Sequence, residues 1–251
     1  MTMVLLTAIG VGGATIIGAL LGLVFKKISH TFNDIVLAFA AGIMLAAAVI
    51  GLILPSLEYG NNSISVTILG IFCGAFAISI LDKLTPHLHK ISGSDTEQHP
   101  ENSKQLNKVL LFVMAIAIHN LPEGIAAGVG FGTGKVSDAM LIAGGIALQN
   151  IPEGMIIIAP MLGAGISIRR TFVIAAATGL VEVVGTLIGY FAVSVSNAIL
   201  PFALAFAGGT MLYVISDEMI PETHAHGCER GATYSLLVGF CVMLVMDLLL
   251  G

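Results

Sequence analysis

Between Ile118 and Gly154 one phrase occurs twice, as His119-Asn120-Leu121-Pro122-Glu123-Gly124 and again as Gln149-Asn150-Ile151-Pro152-Glu153-Gly154. The copies lie 30 residues apart, each inside a long apolar run. Read as helices, His119 and Glu123 stand at i and i+4, and Asn120 and Glu123 at i and i+3, so all three can share a face. The second copy offers Gln149, Asn150 and Glu153 in the same way. Pro122 and Pro152 lack an N–H, so the carbonyls of Ile118 and Leu148 lose their helical partners. The reading is a pair of helices opened at mid-span, of the kind tolerated where it lines a cavity. A short turn around 132–137 makes the two helices antiparallel, so a local two-fold axis would bring Glu123 and Glu153 face to face.

The rest of the chain explains why such helices need a reason. Of 251 residues, 57% are hydrophobic and 10% charged, against about a quarter charged in an average soluble domain. Mean hydropathy is +1.00. The chain reads as an all-α integral membrane protein, a single transmembrane domain over 1–251. Eight runs approach the roughly 20 apolar residues a crossing needs, over 3–25, 34–58, 63–81, 108–131, 138–161, 171–194, 198–220 and 232–250. The first run has no charged leader and reads as a retained helix, not a signal peptide. Connections 1–2, 3–4, 5–6 and 7–8 carry nine Lys and Arg, whereas the other side carries only Lys135. The positive-inside rule then places both termini outside the cytoplasm and the 82–107 loop inside it. That loop, with His87, His89 and His99, reads as solvated. Three cysteines argue against a disulfide framework. A net charge of −5 without a basic patch gives no sign of nucleic-acid binding.

Carboxylates at this depth narrow the chemistry. Glu182 adds a third, in the middle of the sixth run. Each costs about 2.5–3.5 kcal/mol at the bilayer centre, and three cost about 8–10 kcal/mol before repulsion. A divalent cation offsets both terms. Carboxylates with imidazole suit Zn, Fe, Mn, Co or Cd better than Na or K. Met44 could add a thioether, although one of 11 methionines reads by itself as core packing. No His-Glu-x-x-His or Glu-x-x-His occurs, so no metallo-hydrolase or di-iron enzyme is expected, and no P-loop points to ATP. Protonation of Glu123, Glu153 or His119 competes with metal, so some pH dependence of binding is expected.

The twin phrase resembles the signature of the ZIP (Zrt/Irt-like) metal transporters, closest to the bacterial GufA-like branch, and the likeness runs along essentially the whole chain. The resemblance implies an inverted pseudo-symmetric 3+2+3 arrangement, with helices 1–3 related to 6–8. It implies one metal held by Met44, His119, Glu123, Gln149 and Glu153. A second would be held by Asn120, Glu123, Asn150, Glu153 and Glu182, with Glu123 and Glu153 bridging. Met44 matches within Phe39-Ala40-Ala41-Gly42-Ile43-Met44. Some relatives carry Asp where this chain has Asn150, so the set holds three carboxylates and two divalent ions would leave it at +1. Asp82, Asp217, Glu218, His224, His226 and Asp247 are pathway candidates, the last near the outer end. The expected function is Zn²⁺ import, with Cd²⁺, Fe²⁺ or Mn²⁺ as further substrates, by alternating access in the inner membrane. No organic cofactor is expected, the bilayer is a partner, and a homodimer is allowed. A selective metal channel or a non-transporting metal sensor are the alternative readings.

Overall fold

The computed structural model describes residues 1–25, 29–60, 63–91 and 100–250. Among them stand eight helices of membrane length. They are α1 (Thr2–Val24), α2 (His30–Tyr59), α3 (Ile64–Ile91), α4 (Pro100–Val129), α5 (Val136–Gly163), α6 (Ile168–Val195), α7 (Leu200–Thr223) and α8 (Glu229–Leu250). All eight expected spans are present, most with ends shifted by a few residues and α3 and α4 lengthened at one end. Ser29 and Ser167 accept from the amides of Phe32 and Arg170 at the starts of α2 and α6, as N-caps do.

Two expectations change. The 82–107 loop is much shorter, because α3 runs on to Ile91 and α4 begins at Pro100. His87 and His89 fall on helical backbone, and His99 lies outside the described residues. Helix propensity continues both spans past the apolar stretch once the backbone has nucleated. Nor are α4 and α5 broken at Pro122 and Pro152, which sit inside continuous helix. Each proline removes one hydrogen bond, and packing on both sides carries the helix through.

The helices sort into two groups. α1 packs along α5 and α6, and α4 along α6; α2 packs along α8, and α3 along α7. Inside each group the contact is backbone on backbone. A Cβ at Gly18 or Gly154 would overlap a carbonyl of the α1–α5 pair, and one at Gly124 or Gly185 a carbonyl of the α4–α6 pair. Gly42 and Gly239 do the same for α2–α8, and Gly74 and Gly209 for α3–α7. Such seams are how helices associate where lipid supplies no hydrophobic drive. Between the groups, side-chain tips meet instead: Met243 over Gly145, Met246 over Gly144, and Ile142 over Gly51.

The seams obey an inverted two-fold. Thr15 and Glu182, 167 residues apart, touch each other, and Gly12 and Gly179 face each other's carbonyls reciprocally. The same offset carries Gly18 and Gly22 to Gly185 and Gly189, and Phe39 to Phe206. Thr15-Ile-Ile-Gly18-Ala-Leu-Leu-Gly22 thereby aligns with Glu182-Val-Val-Gly185-Thr-Leu-Ile-Gly189. α2 and α7 share a further device: a π-helical segment, Ala47–Ile53 and Ile215–Met219, followed by Pro55 and Pro221. Such widened turns recur at functional sites.

Candidate metal centre

α4 and α5 bring the two phrases together in the interior. Gln149 Nε2 donates to Glu123 Oε1 at 2.8 Å and to Glu153 Oε1 at 3.4 Å, so one amide sits between both carboxylates. His119 Nε2 lies 2.7 Å from Glu218 Oε1, tying α4 to α7. Glu182, fully buried, takes Asn120 Nδ2 and Thr15 Oγ1 on one oxygen at 2.6 and 2.7 Å, and Asn150 Nδ2 on the other at 2.6 Å. The same asparagine amides donate to the carbonyls of Thr178 and Val11.

These bonds use every nearby donor and leave acceptors over. Asn120 Oδ1, Glu123 Oε2, Gln149 Oε1 and Asn150 Oδ1 are all buried without a partner. Buried acceptors are satisfied almost without exception, and each orphan costs about 1–3 kcal/mol. Four oxygen acceptors left over on side chains joined through Glu123 and Glu182 form a donor set that a cation would satisfy. Among the described residues, no group of three or more His, Cys, Asp or Glu side chains is arranged to hold a metal ion. The ligands are instead paired with one another.

A cavity of about 460 Å³ leads to this centre. His119, Glu123 and Glu153 lie on its wall, with Phe112, Ile116, Ile156 and Val214 as apolar lining. Asp217 and Glu218, on the π-helical segment of α7, and Glu222 complete it. Asp82, at the end of the third span, is in electrostatic range of Glu218, His119 and Asp217.

Other residues singled out in the sequence fall elsewhere. Met44 is buried in an apolar core that draws on both helix groups, and it is not on the cavity wall. Asp247 is half-buried at the opposite end of α8 from the cavity. His224 is spent locally, its Nδ1 on the Ile220 carbonyl at 2.8 Å and its Nε2 near Thr233 Oγ1 at 3.3 Å. His226 meets Asp34, away from the centre. Sequence reasoning missed Thr15, whose hydroxyl holds Glu182. Its signal was the repeat that aligns it with Glu182. Thr15→Val is expected to lower stability by about 1–2 kcal/mol through loss of a bond to a charged acceptor. An unchanged apparent melting temperature in detergent would mean the hydroxyl does not hold the carboxylate.

The fold and centre together define a polytopic membrane protein whose interior gathers carboxylate, amide and imidazole side chains beside a cavity. Residues 89–247 match the family described as ZIP zinc transporter, and the chain belongs to that family. It is 39% identical over 247 residues to the zinc transporter GufA of Myxococcus xanthus, covering 96% of each chain. It is 40% identical over 250 residues to the zinc transporter ZIPB of Bordetella bronchiseptica, covering 95% of this chain and 78% of that one. It is 30% identical over 323 residues to human zinc transporter ZIP11, covering 95% and 94%.

Proposed function

We propose that this chain carries divalent transition-metal ions, Zn²⁺ foremost, into the cytoplasm by alternating access. The observation that carries the reading is the set of orphaned acceptor oxygens on Asn120, Glu123, Gln149 and Asn150, with Glu123 on the wall of an acid-lined cavity. Names borne by the relatives support zinc as the cargo. Cd²⁺, Fe²⁺ and Mn²⁺ share enough of its ligand chemistry to compete.

The ion binds at the cavity end, where His119, Glu123, Gln149 and Glu153 lie. Entry of the ion frees His119 from Glu218 and turns Gln149 so that its oxygen, not its amide, faces the metal. Beside it the amides of Asn120 and Asn150 both donate to Glu182, so the neighbouring position of the twin set presents amide protons to its carboxylate, and one ion is held per chain. Asn150→Asp removes an amide donor and adds a fourth carboxylate. The number of ions bound per chain should then rise from one to two, counted by elemental analysis after equilibrium dialysis. A stoichiometry that stays at one would show that the amides are not what excludes the second ion.

Charge asymmetry supports placing the cavity mouth at the cytoplasm, since α7 ends on the side whose connections carry nine of the ten Lys and Arg. At the opposite face Tyr59 Oη donates to the Thr133 carbonyl at 3.2 Å and lies 3.4 Å from Asp138, joining the two helix groups. Ser56 donates to the Pro201 carbonyl at 2.8 Å on the same face. This arrangement is therefore the inward-open one. The glycine seams within each group, and the loose Met and Ile contacts between groups, support movement of α1, α4, α5 and α6 as a unit against α2, α3, α7 and α8. A packed seam resists shear and a layer of flexible side-chain tips permits it. The reading is tested by ion uptake into proteoliposomes across a panel of divalent ions. Saturable Zn²⁺ flux is expected, flux that never saturates would indicate a channel, and binding without flux would indicate a sensor.

A further inference from the structure

One group of side chains outside the cavity has metal-ligating chemistry and no use in the reading above. Asp34, at the second turn of α2, is 3% exposed. Its Oδ1 lies 3.1 Å from His226 Nδ1, and its Oδ2 is buried with no partner. His30, four residues earlier on the same helix, stacks on the His226 ring with centroids 5.2 Å apart and planes at 26°. The Ser29 cap sets the start of α2, so that His30 and Asp34 fall on one face. His226 arrives from the turn between α7 and α8. Two separate elements thus deliver two imidazoles and a carboxylate to one place, and one carboxylate oxygen remains unsatisfied.

We propose that His30, Asp34 and His226 form a second divalent-metal site, distinct from the centre between α4 and α5. Imidazole nitrogen with carboxylate oxygen suits Zn²⁺, Co²⁺ and Cd²⁺. Three protein ligands leave a coordination position for water, the pattern of an exchangeable ion, not of a closed structural one. As they stand the three side chains are not arranged to hold an ion. The His226 side chain, 36% exposed on its turn, has the freedom to rotate its ring and complete the set. An ion there replaces the His226–Asp34 hydrogen bond and satisfies the orphaned Oδ2. His224, two residues away, is excluded because both its ring nitrogens are engaged.

The position gives the site its use. Leu37, one turn beyond Asp34, and Ala225, next to His226, both line the cavity. The site stands at the rim, beyond the Asp217, Glu218 and Glu222 carboxylates that line the cavity. That role rests on the transport reading; the binding itself does not.

The test uses the full-length chain in detergent with Glu123→Ala and Glu153→Ala, which remove the central site. Co²⁺ titration, followed by ligand-field absorption and metal counting, should still find about one ion per chain, displaced by Zn²⁺. Adding His30→Ala, His226→Ala or Asp34→Asn should weaken that binding at least about tenfold. No residual ion, or one indifferent to these three residues, overturns the site. In the wild-type chain, Zn²⁺ should shield His30 and His226, but not His224, from diethyl pyrocarbonate, read by peptide mass spectrometry. Equal modification with and without Zn²⁺ overturns it as well. If wild-type liposomes take up no metal while the titration holds, the transport reading falls and the site stands; the converse pair of results leaves transport and removes the site.

Discussion

Zn²⁺ uptake into proteoliposomes should fall by more than about 100-fold in Glu123→Ala and, separately, in Glu153→Ala. Both carboxylates flank the Gln149 amide and both reach the cavity. Truncating one member of a buried charge pair costs about 2–5 kcal/mol, and 100-fold in binding corresponds to about 2.7 kcal/mol. The same variants should remain folded, with an apparent melting temperature unchanged or raised. Each removes a group that costs about 2.5–3.5 kcal/mol to hold at the bilayer centre. The two readouts therefore move apart, which separates a lost ligand from a lost fold. Wild-type flux in both variants would end the assignment of the ion to this position.

The second large effect concerns the seams. Gly154→Val, Gly185→Val and Gly42→Val should each destabilise strongly, because the added Cβ falls on backbone of the facing helix, which cannot rotate away. Overpacking typically costs about 1–3 kcal/mol per site, and backbone contact belongs at the upper end. Pairing Gly154→Val with Gly185→Val strikes both arms of the first group and should abolish the monodisperse peak in fluorescence-detected size exclusion. Gly10, Gly13 and Gly163 meet nothing within 4 Å of a built Cβ, so Ala at those positions should leave the peak and melting temperature as they are. Equal tolerance in both sets would mean the seams do not hold the groups together.

The spans and the twin centre were legible because their signals are local. Apolar run length gave eight helices, and the 30-residue repeat placed Glu123 opposite Glu153. Asn120, Asn150 and Glu182 were named together, but their mutual hydrogen bonding was not foreseen, since it depends on which amide end faces which oxygen. Met44 stood out as a ligand only by resemblance, because one methionine among 11 carries no signal of its own. The grouping of α1, α4, α5 and α6 was not legible, because glycine is so frequent that its spacing carries little information until facing backbones are known. Thr15 and Asp34 were missed for a related reason: each matters through a partner 167 or 192 residues away. The extended ends of α3 and α4 were missed because polarity was read as loop, whereas a polar helix projecting from the membrane has the same composition.

The pairing of Thr15 with Glu182 across the pseudo-two-fold bears on how such a molecule could have arisen. Were two identical half-chains to associate in opposite orientations, each would place the same residue beside its own copy at that position. Two acids there would repel unless an ion were always present, and two hydroxyls would leave no charge to share. Fusion of the halves into one chain removes that constraint, because one arm keeps the acid while the other becomes its hydrogen-bond donor. A lone carboxylate held by an unlike counterpart can persist when no ion is bound.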